Sequence, residues 1–212
     1  MAGVFVTFEG VDGCGKSTQI RLLSEDLTDR GWEVLTTREP GGCEISEQIR
    51  ALLLDPANKE MTRETEALLY AAARAQHVAQ IIRPALAEGK IVISDRYLDS
   101  SLAYQGGGRR LGHRLIEKMN GPAVSGLKPD LTFFLDLPPH KAFERMHREG
   151  PHDRLEQQDA AFHERLYQEF LRIGKRDPQR VKRIDVSGSK DETQAKIRTM
   201  MDAYLTGQGG RP

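Results

Sequence analysis

Several features that would assign a chain to a specialised class are scarce in this sequence. The 212 residues include only two cysteines, too few for a disulfide-stabilised secreted scaffold. Cys14 and Cys43 both fall in glycine-rich loops, which favours free thiols over a disulfide. Basic and acidic residues balance at 31 each, so no charge excess draws the chain to nucleic acid or to an anionic membrane, and we expect neither partner.

Long hydrophobic runs are also missing, since no stretch approaches the ~20 apolar residues that cross a bilayer. The first predicted strand begins at Val4, which leaves no room for a signal peptide, and we expect a cytoplasmic protein. The six histidines lack the paired spacing of a metal site. The length suits a single domain over residues 1–212.

Strand and helix patterns alternate along the chain, which predicts an α/β fold with a parallel sheet covered by helices on both faces. Apolar segments predict five strands, at 4–8, 32–37, 91–94, 131–137 and 181–186. Helical spacing predicts helices at about 17–27, 45–55, 63–82, 159–173 and 192–205. The arginine-rich stretch 145–154 is interpreted as an exposed flap, with a solvated helix end as the alternative.

A glycine-rich motif lies between the first strand and the first helix. The run Gly10-Val11-Asp12-Gly13-Cys14-Gly15-Lys16-Ser17 fits G-x-x-x-x-G-K-[ST], the pattern of a phosphate-binding loop. Backbone N–H groups, a helix N-terminus and the Lys16 ammonium would converge on one concave site. The motif therefore predicts that the chain binds a nucleoside triphosphate.

Further charged residues follow the neighbouring strands. Arg38 follows strand two, and Asp95 and Arg96 follow strand three, so all should meet at the carboxyl edge of the sheet. Asp95 and Ser17 are candidate Mg²⁺ ligands, with helix capping as the alternative for Asp95. Arg38 and Arg96 predict a second phosphate pocket, although a structural salt bridge would explain either one alone.

A second phosphate pocket favours phosphoryl transfer between two anionic esters. A phosphate monoester is mostly dianionic at pH 7 and needs no general base, so the barrier is repulsion from the γ-phosphate. Lysine, arginine and Mg²⁺ would offset that repulsion. The candidate cations are Lys16, Arg38, Arg96, Arg145, Arg148 and Arg154.

Other functions remain open from the residues alone. A simple ATPase or GTPase would need a residue that orients water, and the sequence offers no clear candidate and no N-K-x-D guanine motif. A deoxynucleoside kinase would need a carboxylate base and fewer phosphate-binding arginines, so Arg38 argues against it. A nucleotide-switched binding module would bind nucleotide tightly without turnover.

Six segments together resemble bacterial thymidylate kinases, in order and over nearly the whole chain: 8–18, 37–42, 95–97, 103–108, 128–131 and 153–156. The Arg-Glu-Pro-Gly-Gly run at 38–42 and the Tyr-Gln-Gly-Gly-Gly run at 104–108 are specific to that family. The resemblance implies a phosphate-loop kinase fold with strand order 2-3-1-4-5 and a flap at about 145–158. It also implies phosphoryl transfer from MgATP to dTMP, giving dTDP for dTTP synthesis, by a homodimeric cytosolic enzyme.

The resemblance implies roles for individual residues as well. Catalysis would depend on Lys16, Arg96, Asp12, Arg148 and Arg154. ATP would be bound by Gly10, Val11, Asp12, Gly13, Cys14, Gly15, Lys16, Ser17, Thr18 and Arg145. dTMP would be bound by Asp12, Arg38, Tyr70, Arg74, Arg96, Ser101, Tyr104 and Gln105.

Within the implied dTMP site, two arginines, Arg38 and Arg96, would hold the phosphate. The base would stack on Tyr70, where the family usually has Phe, and its carbonyl would meet Arg74. Tyr104 would crowd the sugar 2′ position and disfavour ribonucleotides.

Overall fold

The centre of the fold is a parallel sheet. The computed structural model describes residues 3–146, 154–155 and 157–208. The sheet contains β1 (Val4–Glu9), β2 (Val34–Arg38), β3 (Ile91–Asp95), β4 (Leu131–Asp136) and β5 (Val181–Asp185). All pairings are parallel in the order β2-β3-β1-β4-β5, which confirms the order that the resemblance implied.

Helices connect the strands and cover the sheet. They are α1 (Lys16–Asp29), α2 (Glu44–Leu54), α3 (Arg63–His77), α4 (Arg83–Ala87), α5 (Leu98–Ser101), α6 (His113–Val124), α7 (Pro139–Met146), α8 (Ala160–Arg176) and α9 (Lys190–Gly207). None of the helices that the structure describes is long and apolar enough to cross a membrane. Trp32, expected in strand two, instead precedes β2, because its N–H donates to the Leu27 carbonyl at the end of α1.

The sheet is apolar on both faces because alternate residues of a strand point to opposite sides. Val6 and Phe8 belong to the larger core cluster, whereas Phe5 packs in a second cluster with Val92 and Tyr97. Central strands buried on both faces are continuous hydrophobic runs, and this explains why the sequence predicts β1, β3 and β4 well.

The long helix predicted at 63–82 is continuous but changes its geometry. α3 ends at His77 and leads through a π-helical turn, Val78–Ile82, into α4. At its start, the Thr62 side chain accepts a hydrogen bond from the Thr65 N–H.

Sequence patterns did not predict the helical segment after β3, which comprises α5, a π-helical stretch at Leu102–Gly108 and α6. Two of its glycines, Gly107 and Gly108, allow close packing against α8. A β-carbon on Gly107 would lie 1.9 Å from Glu169 Cγ, and one on Gly108 would lie 2.6 Å from the Phe162 ring. Glycine in this stretch therefore marks contact between helices rather than a turn.

The predicted flap is only partly described, because residues 147–153 and 156 lie outside the described residues. Arg154 and Leu155 are described, and both are buried. The expectation of an exposed position is therefore wrong for Arg154, whose guanidinium pairs with the buried carboxylate of Glu66 at 2.6 Å.

The strand ends meet as the sheet argument predicted. Phe8 of β1 and Arg38 of β2 both stand opposite Asp95 in the strand register. Beyond the strands, the Arg96 N–H donates to the Phe8 carbonyl and the Glu39 N–H donates to the Asp95 carbonyl, each at 2.9 Å. The loops after β1, β2 and β3 therefore begin side by side.

Candidate active site

The loop between β1 and α1 has the geometry of a phosphate-binding nest. Gly10, Gly13 and Gly15 have φ values of +141°, +73° and +94°, which residues with a β-carbon rarely adopt. A β-carbon on Gly10 would also lie 2.7 Å from the Leu135 carbonyl oxygen. Because α1 begins at Lys16, its free N–H groups and positive dipole end adjoin the loop.

Lys16 is buried within this loop. Its Nζ donates to the carbonyl oxygens of Gly10 at 3.3 Å and Val11 at 3.1 Å, and it lies 3.9 Å from Asp12 Oδ1. Neutral carbonyls bind an ammonium more weakly than phosphate oxygens do, so these contacts can be exchanged for a phosphate. The neighbouring Cys14 is a buried free thiol, and burial raises its pKa, which favours the neutral thiol over the thiolate.

Arg96 lies at the centre of the strand edge. Its φ of +71° is unusual for a residue with a side chain. The guanidinium donates to the Gly10 carbonyl at 3.0 Å, Ser100 Oγ at 3.1 Å, Asp12 Oδ1 at 2.5 Å and the Tyr104 hydroxyl oxygen at 3.0 Å. Arg96 therefore ties the phosphate loop to the segment after β3.

Asp12 is the anionic partner of this cluster. Its Oδ1 accepts from Arg96, and its Oδ2 accepts from the Tyr104 hydroxyl at 2.8 Å. Burial alone would raise the pKa of Asp12, but Arg96 and Lys16 together hold it well below its usual range. Asp12 is thus ionised at neutral pH and keeps two cations in place.

Glu9 forms hydrogen bonds with residues that adjoin this cluster. It is almost completely buried, its Oε1 accepts from the Tyr97 N–H at 2.8 Å, and its Oε2 lies 2.5 Å from Ser100 Oγ. Burial, with the negative charge of Asp99, raises the pKa of Glu9 to about 8. A protonated Glu9 therefore holds the Tyr97 backbone and Ser100, which is itself a hydrogen-bond partner of Arg96, without adding charge.

Ser17 and Asp95 lie together, as the predicted metal ligands should. Ser17 Oγ donates to Asp95 Oδ2 at 3.5 Å, while Asp95 Oδ1 is buried and has no hydrogen-bond partner. Hydroxyl and carboxylate oxygens suit Mg²⁺, which proteins usually bind through one or two carboxylates plus substrate phosphates. The pair fits that ion, and the described part of the chain contains no cluster of three His, Cys, Asp or Glu ligands.

Arg38 approaches from the end of β2. Its Nη2 lies 2.9 and 3.0 Å from the two carboxylate oxygens of Glu47, which also accepts the Gly42 N–H at 2.8 Å. Gly41, beside the pair, has a φ of +130°, a conformation that favours glycine, and a β-carbon there would lie 2.4 Å from Glu47 Oε1. The Arg38 side chain is 54% exposed, and such an exposed ion pair is weak enough to yield to a ligand.

These groups line one cleft. Its wall consists of Asp12, Gly13, Gly15, Lys16, Ser17, Thr18, Arg38, Glu39, Arg50, Asp95 and Arg96. The structure therefore brings together the phosphate loop, the candidate metal ligands and both predicted phosphate-binding arginines.

A second cavity adjoins this cleft and shares Asp12, Glu39, Arg50 and Arg96 with it. The remaining predicted dTMP residues all line the second cavity: Tyr70, Arg74, Ser101, Tyr104 and Gln105. Arg38 lines only the first cleft. The predicted dTMP residues thus line two neighbouring spaces, which have Asp12 and Arg96 in common.

The flap arginines are placed less favourably. Arg148 lies outside the described residues, and the side chain of Arg145 is not among the described ones. Arg154 Nε donates to the Leu53 carbonyl at 2.9 Å, its Nη1 pairs with Glu66, and it does not line the phosphate cleft. The catalytic roles of Arg148 and Arg154 and the ATP-binding role of Arg145 remain predictions.

Sequence reasoning missed three residues that shape the site, Glu39, Arg50 and Glu66. Glu39 stands inside the Arg-Glu-Pro-Gly-Gly run, which was a usable signal. Arg50 donates to the Pro40 carbonyl at 2.9 Å, and the buried Glu66 forms ion pairs with Arg109 and Arg154. In the sequence, however, Arg50 and Glu66 are simply charged residues on amphipathic helices. Such residues are mostly solvated, so their positions in the sequence gave no signal.

A phosphate nest that shares charged residues with a second cavity, on a parallel sheet of this order, defines a phosphate-loop kinase. A family model described as Thymidylate kinase matches residues 8–197. The chain therefore belongs to the thymidylate kinase family.

Relatives and solved structures agree with this assignment. The chain is 50% identical to a thymidylate kinase of Lactobacillus acidophilus over 208 residues, covering 97% of this chain and 96% of the relative. It is 48% identical to one of Symbiobacterium thermophilum over 213 residues, covering 99% of each. It also resembles the crystal structure of thymidylate kinase from Ehrlichia chaffeensis, with a TM-score of 0.79, 32% identity, and 95% and 99% of the two chains covered.

The buried Glu9 generates a testable pH dependence. Between pH 4.5 and about 8 an unfolded chain releases this proton while the folded chain retains it, so native stability falls as pH rises. Glu9→Gln keeps both hydrogen bonds and removes that loss. In urea unfolding, we expect Glu9→Gln and the native protein to have similar stability near pH 5. At pH 8 the variant should be more stable than the native protein by more than about 1 kcal/mol.

The control for this experiment is Glu25→Gln, an exposed change on α1. A protonated Glu9 is contradicted if the difference in stability between Glu9→Gln and the native protein stays constant from pH 5 to 8. It is also contradicted if that difference increasingly favours the native protein as the pH rises.

Proposed function

We propose that this chain transfers the γ-phosphoryl group of MgATP to dTMP, giving dTDP and ADP for dTTP synthesis by the de novo and salvage pathways. The main support is that the phosphate-loop cleft and the second cavity share Asp12 and Arg96. A donor phosphate on the loop and an acceptor phosphate at Arg96 would then be neighbours. Family membership supports the choice of dTMP as acceptor.

On the donor side, the loop from Gly10 to Thr18 would bind the triphosphate, and Arg145 would contribute from the flap. Lys16 would exchange the carbonyls of Gly10 and Val11 for phosphate oxygens. Ser17 and Asp95 would hold Mg²⁺, which when bound neutralises phosphate charge and orients the triphosphate.

On the acceptor side, Arg38 and Arg96 would hold the dTMP phosphate, with Asp12 between the sugar and the phosphates. The ring of Tyr70 would stack on thymine. Base contacts from Arg74, Ser101 and Gln105 would select pyrimidine, and Tyr104 would crowd the 2′ position; all four line the second cavity. Because the attacking oxygen belongs to a dianion, the chain needs to supply orientation and positive charge rather than a base.

Flap arginines would add charge as the reaction proceeds and would exclude water. Arg148 and Arg154 are our candidates. For Arg154 this role requires release from Glu66, to which it is bound at 2.6 Å in a buried pair.

We also propose a homodimer that forms through α2 and α3, in the cytoplasm. Ile45 and Leu52 of α2 and Leu68 of α3 are 50%, 52% and 54% exposed, on two helices that pack together. Three alanines, Ala72 and Ala75 of α3 and Ala79 of the turn after it, are exposed as well. Two free, buried cysteines suit a reducing compartment.

An assay of ADP release across nucleoside monophosphates tests the reaction. We expect rapid release with dTMP and at least ~100-fold slower release with thymidine, which lacks the phosphate that Arg38 and Arg96 would bind. Comparable rates with the two acceptors would contradict the phosphate pocket. Tight nucleotide binding without turnover on any acceptor would instead favour a switched binding module.

Arg96→Ala should lower kcat by more than ~100-fold with the fold intact, because one preorganised cation is lost. Arg21→Ala, which removes an exposed pair with Glu25, is the control and should retain full activity. Near-native turnover of Arg96→Ala would remove this residue from the mechanism.

The dimer is tested by placing a charge on the exposed apolar face. Leu68→Glu should shift the protein to monomer in sedimentation at micromolar concentration, because an unpaired charge would be buried at the interface. Thr199→Glu adds the same charge on an exposed position of α9 and should remain dimeric. A native protein that sediments as a monomer contradicts the proposal.

A further inference from the structure

His77, at the end of α3, is fully buried and belongs to no wall of either cavity. Its Nδ1 lies 3.0 Å from Glu39 Oε1, and its Nε2 lies 2.6 Å from Thr37 Oγ1. A neutral ring with its proton on Nδ1 satisfies both contacts, donating to the carboxylate and accepting from the hydroxyl. A buried imidazole with two specific partners is held in one orientation.

The loop after β2 packs closely against the His77 ring. A β-carbon on Gly42 would lie 2.5 Å from His77 Nε2 and 2.6 Å from Thr37 Oγ1. Glycine at this position therefore leaves the space through which the histidine reaches the strand end. The second glycine of the Arg-Glu-Pro-Gly-Gly run thus has a structural reason that involves His77.

Glu39, which contacts His77 through one carboxylate oxygen, contacts Arg74 through the other. The two side chains form a buried ion pair, with Arg74 Nε donating to Glu39 Oε2 at 2.7 Å and both residues no more than 4% exposed. Among the described contacts, the carboxylate has one donor on each oxygen, His77 on Oε1 and Arg74 on Oε2. Loss of either donor leaves a buried carboxylate oxygen unpaired, which is costly and allows the group to rotate.

Arg74 has little freedom of its own. Besides Glu39, it donates through Nη1 to Ser101 Oγ at 3.0 Å and to Asn120 Oδ1, and through Nη2 to the Tyr97 carbonyl at 3.0 Å. Of the five N–H donors of a guanidinium, these contacts use four, and one on Nη2 remains. Arg74 lines the second cavity, so that last donor is the one available to a ligand.

We propose that His77 is a positioning residue for the nucleotide acceptor. It holds Glu39, Glu39 holds Nε of Arg74, and the remaining N–H of Arg74 is thereby aimed at an acceptor atom on the base. This inference rests on the proposed function, because it takes dTMP as the occupant of the second cavity. The described side-chain hydrogen bonds of His77 reach Thr37 and Glu39 and no phosphate-loop residue, and Arg74 lines only the second cavity, so we expect its main effect on the acceptor.

The test compares affinities for the two substrates in variants of His77. His77→Leu keeps much of the ring's volume and removes both hydrogen bonds. We expect KM for dTMP to rise about tenfold, with KM for ATP within ~2-fold and kcat within ~3-fold of native. His77→Gln can still donate to Glu39 and should recover part of the loss.

A second variant approaches the ring from the strand. Thr37→Val removes the hydroxyl that holds Nε2 and should raise KM for dTMP by about 2- to 3-fold, again without changing KM for ATP. This variant keeps the proposal testable if His77→Leu does not fold.

Val78→Ala is the matched control. Val78 is the next residue, equally buried, and packs in the second core cluster without a polar partner. It should lower stability while leaving both KM values unchanged. The proposal is overturned if Val78→Ala reproduces the dTMP effect, if the two KM values rise together in His77→Leu, or if KM for dTMP does not change in any His77 or Thr37 variant.

The two failures are distinguishable. A native protein that does not bind or phosphorylate dTMP contradicts the proposed function directly. A native protein that phosphorylates dTMP, with His77 variants indistinguishable from it, contradicts the positioning role alone.

Discussion

The ion pair between Arg96 and Asp12 is the interaction on which the rest of the site depends. It joins the phosphate loop to the segment after β3, and it does so at the boundary of the two cavities. The backbone of Arg96 is in the left-handed region, and the Phe8 carbonyl, the Ser94 hydroxyl and Glu9 secure the residues around it. Backbone strain of this kind persists only where the surroundings determine the conformation, and it is common at active sites.

A broader constraint follows from the reaction. Bringing two phosphates together requires a concentration of cations, and those cations repel one another before the phosphates arrive. The structure offsets this repulsion by pairing five arginines with carboxylates: Arg96 has Asp12, Arg38 has Glu47, Arg74 has Glu39, and Arg109 with Arg154 has Glu66. This pairing is consistent with a chain whose total charge is balanced although its active site is rich in arginine.

The pairs differ in how firmly they are held, and the difference corresponds to their proposed roles. Arg38 and Glu47 are exposed, so that pair can open when a phosphate offers stronger hydrogen bonds. Arg74 and Glu39 are buried and surrounded by further partners, so they form a rigid wall suited to reading the shape and hydrogen bonding of a base. The proposed phosphate-binding arginine Arg38 can therefore change its partner, whereas the proposed base-binding arginine Arg74 is held in one position.

The sequence by itself determined the phosphate loop, the buried strands and the convergence of Arg38, Asp95 and Arg96, because these depend on local patterns and on the rule that parallel strands end at one edge. Residue by residue, resemblance to a family also led to Tyr70, Arg74, Ser101, Tyr104 and Gln105, which the structure places around one cavity. Only the tertiary structure decided that Arg154 is buried against Glu66, that the glycines at 106–108 allow close helix packing, and that His77 supports Glu39. Each of these is a contact between residues more than 35 positions apart or between separate helices, and neither hydrophobic periodicity nor a short motif carries information about which distant side chains will meet.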